Sequence, residues 1–178
     1  MNNKSLRAHT LAAAAIVGAA YAVLTMALAP ISYGAIQLRV SEVLCILPYF
    51  MPCTAWGLFI GCAAANLLTG NLFDIVFGSL ATLAAALLTA AIGRRKRSLA
   101  NSALACLMPV VFNALIVGAV ITAAYEGLNL FRHPGVFAMN AAYVGLGEAI
   151  VLYVLGLPLM RYLPRKKFFK EFVKKVNP

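Results

Sequence analysis

Long apolar stretches separated by short polar breaks dominate the chain. The first runs from Thr10 to Ala29, and others cover about Phe73 to Ile92, Leu99 to Tyr125 and Val136 to Tyr162. At a helical rise of about 1.5 Å per residue, each would be about 28 Å long or longer, which matches the apolar core of a bilayer. The pattern therefore predicts transmembrane helices.

The apolar stretch from Val43 to Leu68 contains no charged residue over 26 positions and allows two interpretations. It could form one tilted helix, or two segments that break near Pro48 and Pro52. Because proline removes a backbone donor and clashes with the preceding turn, two closely spaced prolines favour a break. We predict a short segment from about Ser41 to Met51 and a helix from about Thr54 to Leu68.

The positions of the basic residues support this division and set the expected orientation. They form three clusters: Lys4 and Arg7; Arg94, Arg95, Lys96 and Arg97; and Arg161, Arg165, Lys166, Lys167, Lys170, Lys174 and Lys175. With six crossings, 13 Lys and Arg residues lie on one side of the membrane and only Arg39 and Arg132 on the other. Since basic loops mark the cytoplasmic side, we predict that both termini are cytoplasmic.

Composition agrees with a membrane protein. The chain of 178 residues is 63% hydrophobic and 11% charged, whereas soluble domains contain about 25% charged residues. We therefore predict an all-α integral membrane bundle of about six transmembrane helices in the cell membrane, with a single transmembrane domain at 1–163 and a basic cytoplasmic tail at 164–178. The net charge of +10 indicates basic loops rather than nucleic-acid binding, and the tail is expected to lie on the anionic leaflet. The first apolar run exceeds the 7–15 residues typical of a signal peptide, which favours a retained helix.

The sequence offers little support for catalysis or metal binding. The four cysteines form no CxxC pair and no Cys/His set, so we expect neither a metal site nor a cofactor. There is no GxSxG elbow and no nucleophile–base pair. There is also no GxxxxGK[ST] motif, so any ATP hydrolysis must come from partner subunits.

Polar groups inside or beside the apolar segments are costly in lipid, so each is a candidate for solute binding. The candidates are Arg39, Glu42, Asn66, Asp74, Asn113, Asn140, Tyr143 and Glu148. Each also has a structural interpretation: Asp74 could cap a helix, Arg39 could pair with Glu42, and the three asparagines could hydrogen-bond between helices. Tyr143 and Trp56 are candidates for stacking on an aromatic solute, or could anchor the chain at the membrane interface.

Small residues at helical spacing predict close contacts between helices. Gly57, Gly61 and Ala65 form one row, and Ala14, Gly18 and Ala22 form another, with Ala15 and Ala19 beside it.

Several segments together resemble the queuosine-precursor transporter family. They are Ile31-Ser32-Tyr33-Gly34, Gln37-Leu38-Arg39-Val40-Ser41-Glu42, Gly57-Leu58-Phe59-Ile60-Gly61, Asn66-Leu67-Leu68 and the run from Asp74 to Leu83. The resemblance implies the substrate-binding subunit (S component) of an energy-coupling factor transporter, which works with a transmembrane coupling subunit and two ATPases. It implies that Ala15 and Ala19 dock the coupling subunit, with Ala14, Gly18 and Ala22 as an alternative row.

The solute implied by the resemblance is a 7-deazaguanine on the route to queuosine, and the candidate residues suit it chemically. Carboxylates can accept from the N–H groups of a guanine-like edge, and asparagine or arginine can donate to its carbonyl. Three alternatives stay open from sequence: a different vitamin-like solute, a small membrane-embedded enzyme, and a stand-alone carrier or channel. The residues do not decide which carboxylate contacts the solute.

Overall fold

The computed structural model describes residues 3–33 and 36–176, and side chains from Leu6 onward. Gly34, the last residue of the segment Ile31-Ser32-Tyr33-Gly34, and the last two residues of the predicted tail lie outside this range. Within it, the chain is helical and contains no strand, which confirms the all-α prediction. Four helical stretches are long and apolar enough to cross a membrane: Leu6–Ala27, Asp74–Gly93, Leu99–Tyr125 and Pro134–Arg165. Two shorter apolar ones are Val40–Tyr49 and Thr54–Thr69.

The helices and their bounds are α1 (Asn3–Ala27), α2 (Ala29–Ser32), α3 (Thr54–Asn66), α4 (Ser79–Gly93), α5 (Leu99–Val120), α6 (Pro134–Ala149), α7 (Leu157–Tyr162) and α8 (Lys167–Val176). Short 3-10 turns occupy Leu67–Thr69 and Leu163–Arg165. π-helical turns precede α4 at Asp74–Gly78, follow α5 at Ile121–Tyr125 and join α6 to α7 at Ile150–Gly156.

The segment predicted at Ser41–Met51 is a 3-10 helix, Val40–Tyr49, and the chain breaks after it as expected. Pro52 lies in the break, whereas Pro48 lies inside the helix. A 3-10 helix rises about 2.0 Å per residue, so ten residues extend about 20 Å, further than the same number in an α-helix. Because of this longer rise per residue, a short 3-10 helix can carry the chain across much of the bundle.

The glycine row of α3 packs directly against the small-residue row of α1. The Cα of Gly57 lies against the backbone of Ala14, and that of Gly61 against Gly18, so an added Cβ would overlap the α1 backbone in both places. The paired positions rise together along both helices, which makes α1 and α3 parallel. Since they are parallel, the 3-10 helix between them must run in the opposite direction.

Polar contacts hold this 3-10 helix against α1. The Tyr21 hydroxyl donates to Glu42 Oε1, and the hydroxyls of Thr25 and Ser41 lie 2.5 Å apart. These four side chains are fully buried. Hydrogen bonding between them removes the cost of burying polar groups between two apolar helices.

The later helices also alternate in direction along the bundle. The end of α3 lies beside the π-helical turn Asp74–Gly78 before α4, where Asn66 contacts Asp74. The end of α4 lies against Tyr49, because Gly93 packs on its carbonyl group. α5 and α6 are antiparallel, since Gly118 packs on Ala141 and Gly145 packs on Ala114. Within the described residues, six helical segments therefore alternate in direction along the bundle.

The basic clusters meet at one end of the bundle, which we call the basic end. Arg97, in the loop before α5, lies 5.4 Å from the centroid of the Phe50 ring. Phe50 also makes an edge contact with Phe169 of α8, at 5.3 Å between centroids. The Thr10 hydroxyl of α1 is 3.4 Å from the Val176 carbonyl of α8. The start of α1, the loop before α5 and the C-terminal helix are thus neighbours.

Candidate functional site

A cavity of about 650 Å³ opens at the end of the bundle opposite the basic end. Its lining residues are Tyr33, Gln37, Leu68, Thr69, Asp74, Ile121, Tyr125, Glu126, Met139, Asn140 and Tyr143. They come from the connection after α2, the 3-10 turn after α3, the π-helical turn before α4, the π-helical turn and loop after α5, and α6. The volume suits a small-molecule ligand.

Two π-helical turns shape the cavity wall. Asp74 begins one of them, and Ile121 and Tyr125 belong to another. A π-turn inserts an extra residue into a helix and redirects the side chains around it, and such turns are frequent at functional sites. Here both turns lie at the helix ends that surround the cavity.

The cavity lining is acidic. Asp74 and Glu126 contribute carboxylates, and no Lys or Arg is among the described lining residues. Asp74 is 5% exposed and lies close to the Thr69 and Tyr125 hydroxyls, whereas Glu126 is exposed at the loop after α5. Glu126 Oε2 accepts from Asn140 Nδ2 at 3.1 Å. The wall therefore favours a ligand with donors or a positive charge.

The connection after α2 forms part of the cavity wall and reaches into the bundle. The Tyr33 hydroxyl donates to the Ala65 carbonyl at 2.7 Å, which ties the connection to α3. The Arg39 guanidinium lies 5.4 Å from the centroid of the Tyr33 ring. Burial raises the pKa of Tyr33, and nearby Arg39 opposes this effect. The Gln37 backbone rests on Gly147, where a Cβ would collide with it.

A buried polar cluster lies deeper in the bundle. Asn113 Nδ2 donates to Glu148 Oε1 at 2.8 Å, and the side chains of Glu42 and Arg39 lie near Glu148. Several buried polar atoms in and around this cluster have no hydrogen-bond partner within the described residues: Arg39 Nε and Nη2, Asn66 Oδ1, Asn113 Oδ1 and Glu148 Oε2. Unpaired buried polar atoms are costly, so this cluster has hydrogen-bonding capacity that packing alone does not use.

The structure divides the eight sequence candidates into three groups. Asp74, Asn140 and Tyr143 line the cavity. Arg39 and Asn66 lie directly behind lining residues, Arg39 against Tyr33 and Asn66 through a 3.1 Å bond from Nδ2 to the Asp74 carbonyl. Glu42, Asn113 and Glu148 belong to the deeper cluster and are almost fully buried.

Two of the alternatives that the sequence left open do not match the geometry. Glu42 accepts from Tyr21 and from Cys45 Sγ, the latter at 2.9 Å, and no hydrogen bond joins it to Arg39 in the described part of the chain. Trp56 lies near the start of α3, which is at the basic end, so it cannot stack on a ligand in this cavity. Its ring packs edge-on against Phe59, at 6.5 Å between centroids.

Glu126, Tyr125, Thr69 and Gln37 line the cavity but were not identified from sequence. All four lie at the ends of helices or in connections, where polar residues are common and carry little information. The weak signal for Glu126 is that it is one of only five acidic residues in the chain.

The small-residue rows of α1 differ in accessibility. Gly18 and Ala22 are buried, and Gly18 packs directly on α3. Since α3 already covers Gly18, this row is less accessible to a partner than the opposite face of α1. Ala15 and Ala19 lie on the exposed face of α1.

Comparison with known proteins identifies the family. The model of the family described as QueT transporter matches residues 11–165. The chain belongs to the QueT transporter family. With its long apolar helices, it is a multi-pass membrane protein.

One relative of this QueT family member is the Queuosine precursor transporter QueT of Lactococcus lactis subsp. cremoris. It is 39% identical over 82 residues, which cover 45% of this chain and 48% of the relative. The match thus spans about half the length of that curated relative. No solved structure matches the chain.

Proposed function

We propose that this QueT family member is the substrate-binding S component of an energy-coupling factor importer and captures a 7-deazaguanine precursor of queuosine. The observation that carries the proposal is the open cavity with two carboxylates and no lining cation among the described residues. Family membership and the name of the Lactococcus relative support the solute class.

In this proposal the bundle crosses the cell membrane six times, with both termini in the cytoplasm. The alternating direction of the six segments supports six crossings. Since basic loops favour the cytoplasmic side, the basic end faces inward and the cavity faces outward.

The lining residues suit the two halves of an aminomethyl-7-deazaguanine. Asp74 and Glu126 can accept hydrogen bonds from the N–H groups of its guanine-like edge and from its ammonium group. Asn140 can serve the ring carbonyl, and Tyr33 or Tyr143 can stack on the ring face. We assign the ammonium group to Asp74, because a carboxylate shielded from water binds a cation more strongly than an exposed one.

The two candidates behind the lining residues hold the connection after α2 and the cavity wall in place. Arg39 contacts Tyr33, and Asn66 fixes the backbone of Asp74. Gln37 lines the cavity on one side and packs on Gly147, next to Glu148, on the other. Movement of the connection that carries Gln37 would therefore open the cavity toward the deeper cluster. For this reason Glu42, Asn113 and Glu148 stay candidate solute ligands.

The proposed partners are a transmembrane coupling subunit and two ATPases. The exposed residues Ala15 and Ala19 let a partner helix approach the α1 backbone closely. ATP hydrolysis by the partners would reorient the bundle and release the solute inside. The chain itself is assigned no enzymatic activity, no cofactor and no metal.

Isothermal titration calorimetry of the purified full chain tests the proposal. An aminomethyl-7-deazaguanine should bind saturably, whereas thiamine and riboflavin, which represent other vitamin-like solutes, should not. Asp74→Asn should weaken binding, and Glu171→Gln, the same type of change on exposed α8, should not. Binding of another vitamin but no 7-deazaguanine would overturn the solute assignment.

Reconstituted vesicles test the partners separately. Uptake of the solute should require the coupling subunit, both ATPases and ATP. Uptake by the chain alone would indicate a stand-alone carrier, and chemical conversion of the solute would indicate an enzyme. Either result would contradict the S-component assignment.

A further inference from the structure

A groove on the outside of the bundle starts at the basic end and runs between α5 and α7. Its volume is about 540 Å³, and Leu99, Tyr153 and Leu157 form much of its wall. The Tyr153 hydroxyl donates to the Ala103 carbonyl at 3.1 Å, so the two sides of the groove are joined. The groove opens on the outer surface of apolar helices, where lipid has direct access.

The groove is lined by basic residues where it reaches the basic end. Arg161 and Arg165 line it there, and both also line an adjoining cavity of about 250 Å³ together with Arg97. A third space of about 220 Å³ continues from Arg97 to Lys170 and Lys174 of α8. No carboxylate lines any of these three spaces in the described chain.

The C-terminal helix indicates where the membrane surface lies. Phe169 and Val173 of α8 pack toward the core of the basic end, while Phe168 is 80% exposed beside several lysines. An exposed aromatic ring among lysines is typical of a helix in the headgroup region. The arginines of the groove are thus at headgroup level, and its apolar wall is at acyl-chain level.

We propose that this groove binds an anionic phospholipid. Its phosphate lies between Arg161 and Arg165, since guanidinium groups bind phosphate through paired hydrogen bonds. One acyl chain lies along Leu99, Tyr153 and Leu157. Basic pockets between membrane helices on the cytoplasmic side suit anionic headgroups. The inference rests on the proposed orientation, with the basic end in the cytoplasm, and not on the identity of the solute.

Native mass spectrometry of the full chain tests this site with phosphatidylglycerol and phosphatidylcholine of identical acyl chains. The wild type should retain phosphatidylglycerol preferentially. Arg161→Gln and Arg165→Gln should each reduce this preference by about fivefold. The double variant Arg94→Gln/Arg95→Gln is the control, because it removes two charges at the same end but outside the groove.

A second variant separates the groove from general charge attraction. Leu99→Trp adds bulk to an exposed wall residue that is shared by the groove and the adjoining cavity, without changing the charge. It should lower retention of phosphatidylglycerol. Equal retention of both lipids by the wild type would overturn the proposal. So would an equal loss in the groove and control arginine variants, or retention of glycerophosphoglycerol as strong as that of the lipid.

Discussion

Replacing Asp74 with Asn should selectively weaken binding of a solute that carries an ammonium group. The change keeps the size of the side chain and removes its charge. Asp74 is nearly buried in the cavity wall, whereas Glu126 is exposed and already accepts from Asn140. The two carboxylates should therefore contribute unequally.

The expected magnitudes follow from this difference in exposure. A hydrogen bond to a charged group contributes about 1.5–3 kcal/mol when shielded from water, so Asp74→Asn should weaken binding about 10- to 100-fold. An exposed ion pair contributes about 0.2–1 kcal/mol, so Glu126→Gln should weaken it by about fivefold at most. The free energy of each change is obtained from dissociation constants measured by calorimetry.

The nitrile analogue of the same 7-deazaguanine provides the internal control, because it has the same ring without the cation. Asp74→Asn should change its affinity little. An equal loss for the amine and the nitrile would show that Asp74 does not bind the ammonium group. A larger loss in Glu126→Gln than in Asp74→Asn would refute the argument from burial.

Three further predictions concern packing, the buried cluster and docking. Gly57→Val should lower the free energy of unfolding by about 1–3 kcal/mol or more, because the valine side chain would overlap the α1 backbone. Gly135→Val, which has open space, should cost less in the same thermal unfolding assay. Glu148→Ala should lower the free energy of unfolding by about 1–3 kcal/mol, because it leaves the Asn113 amide unpaired. Glu148→Gln should lower it less, since an acceptor remains. Equal losses in the two variants would contradict this explanation. Ala19→Trp should abolish co-purification with the coupling subunit, whereas Ala91→Trp, also at an exposed position, should not.

The long spans were predictable because composition alone decides them: only lipid can accommodate so many apolar residues. The 3-10 geometry of Val40–Tyr49 was not. A proline pair indicates a break, but which proline the helix tolerates depends on packing. Here the segment that contains Pro48 is held to α1 through Tyr21 and Glu42, so the break falls at Pro52.

The candidate site was predictable to the extent that lipid penalises polar groups. Asp74, Asn140 and Tyr143 interrupt apolar runs and line the cavity. Gln37 and Glu126 do not interrupt a helix, so nothing in the sequence distinguishes them from ordinary loop residues. Likewise, a row of small residues indicates a close contact but not the partner. Gly18 faces α3 inside the bundle, while Ala19 next to it is exposed.

The contrast between the two ends of the bundle bears on how a solute could cross. The cavity end is open, but a tightly packed cluster that includes Phe50, Met51, Leu152 and Met160 fills the basic end. A channel through the bundle would have to separate these side chains, and each large buried residue removed from its packing costs several kcal/mol. Turning the bundle as one body leaves those contacts intact. That route requires a partner that binds an outer face of the bundle. We assign this binding face to the exposed side of α1.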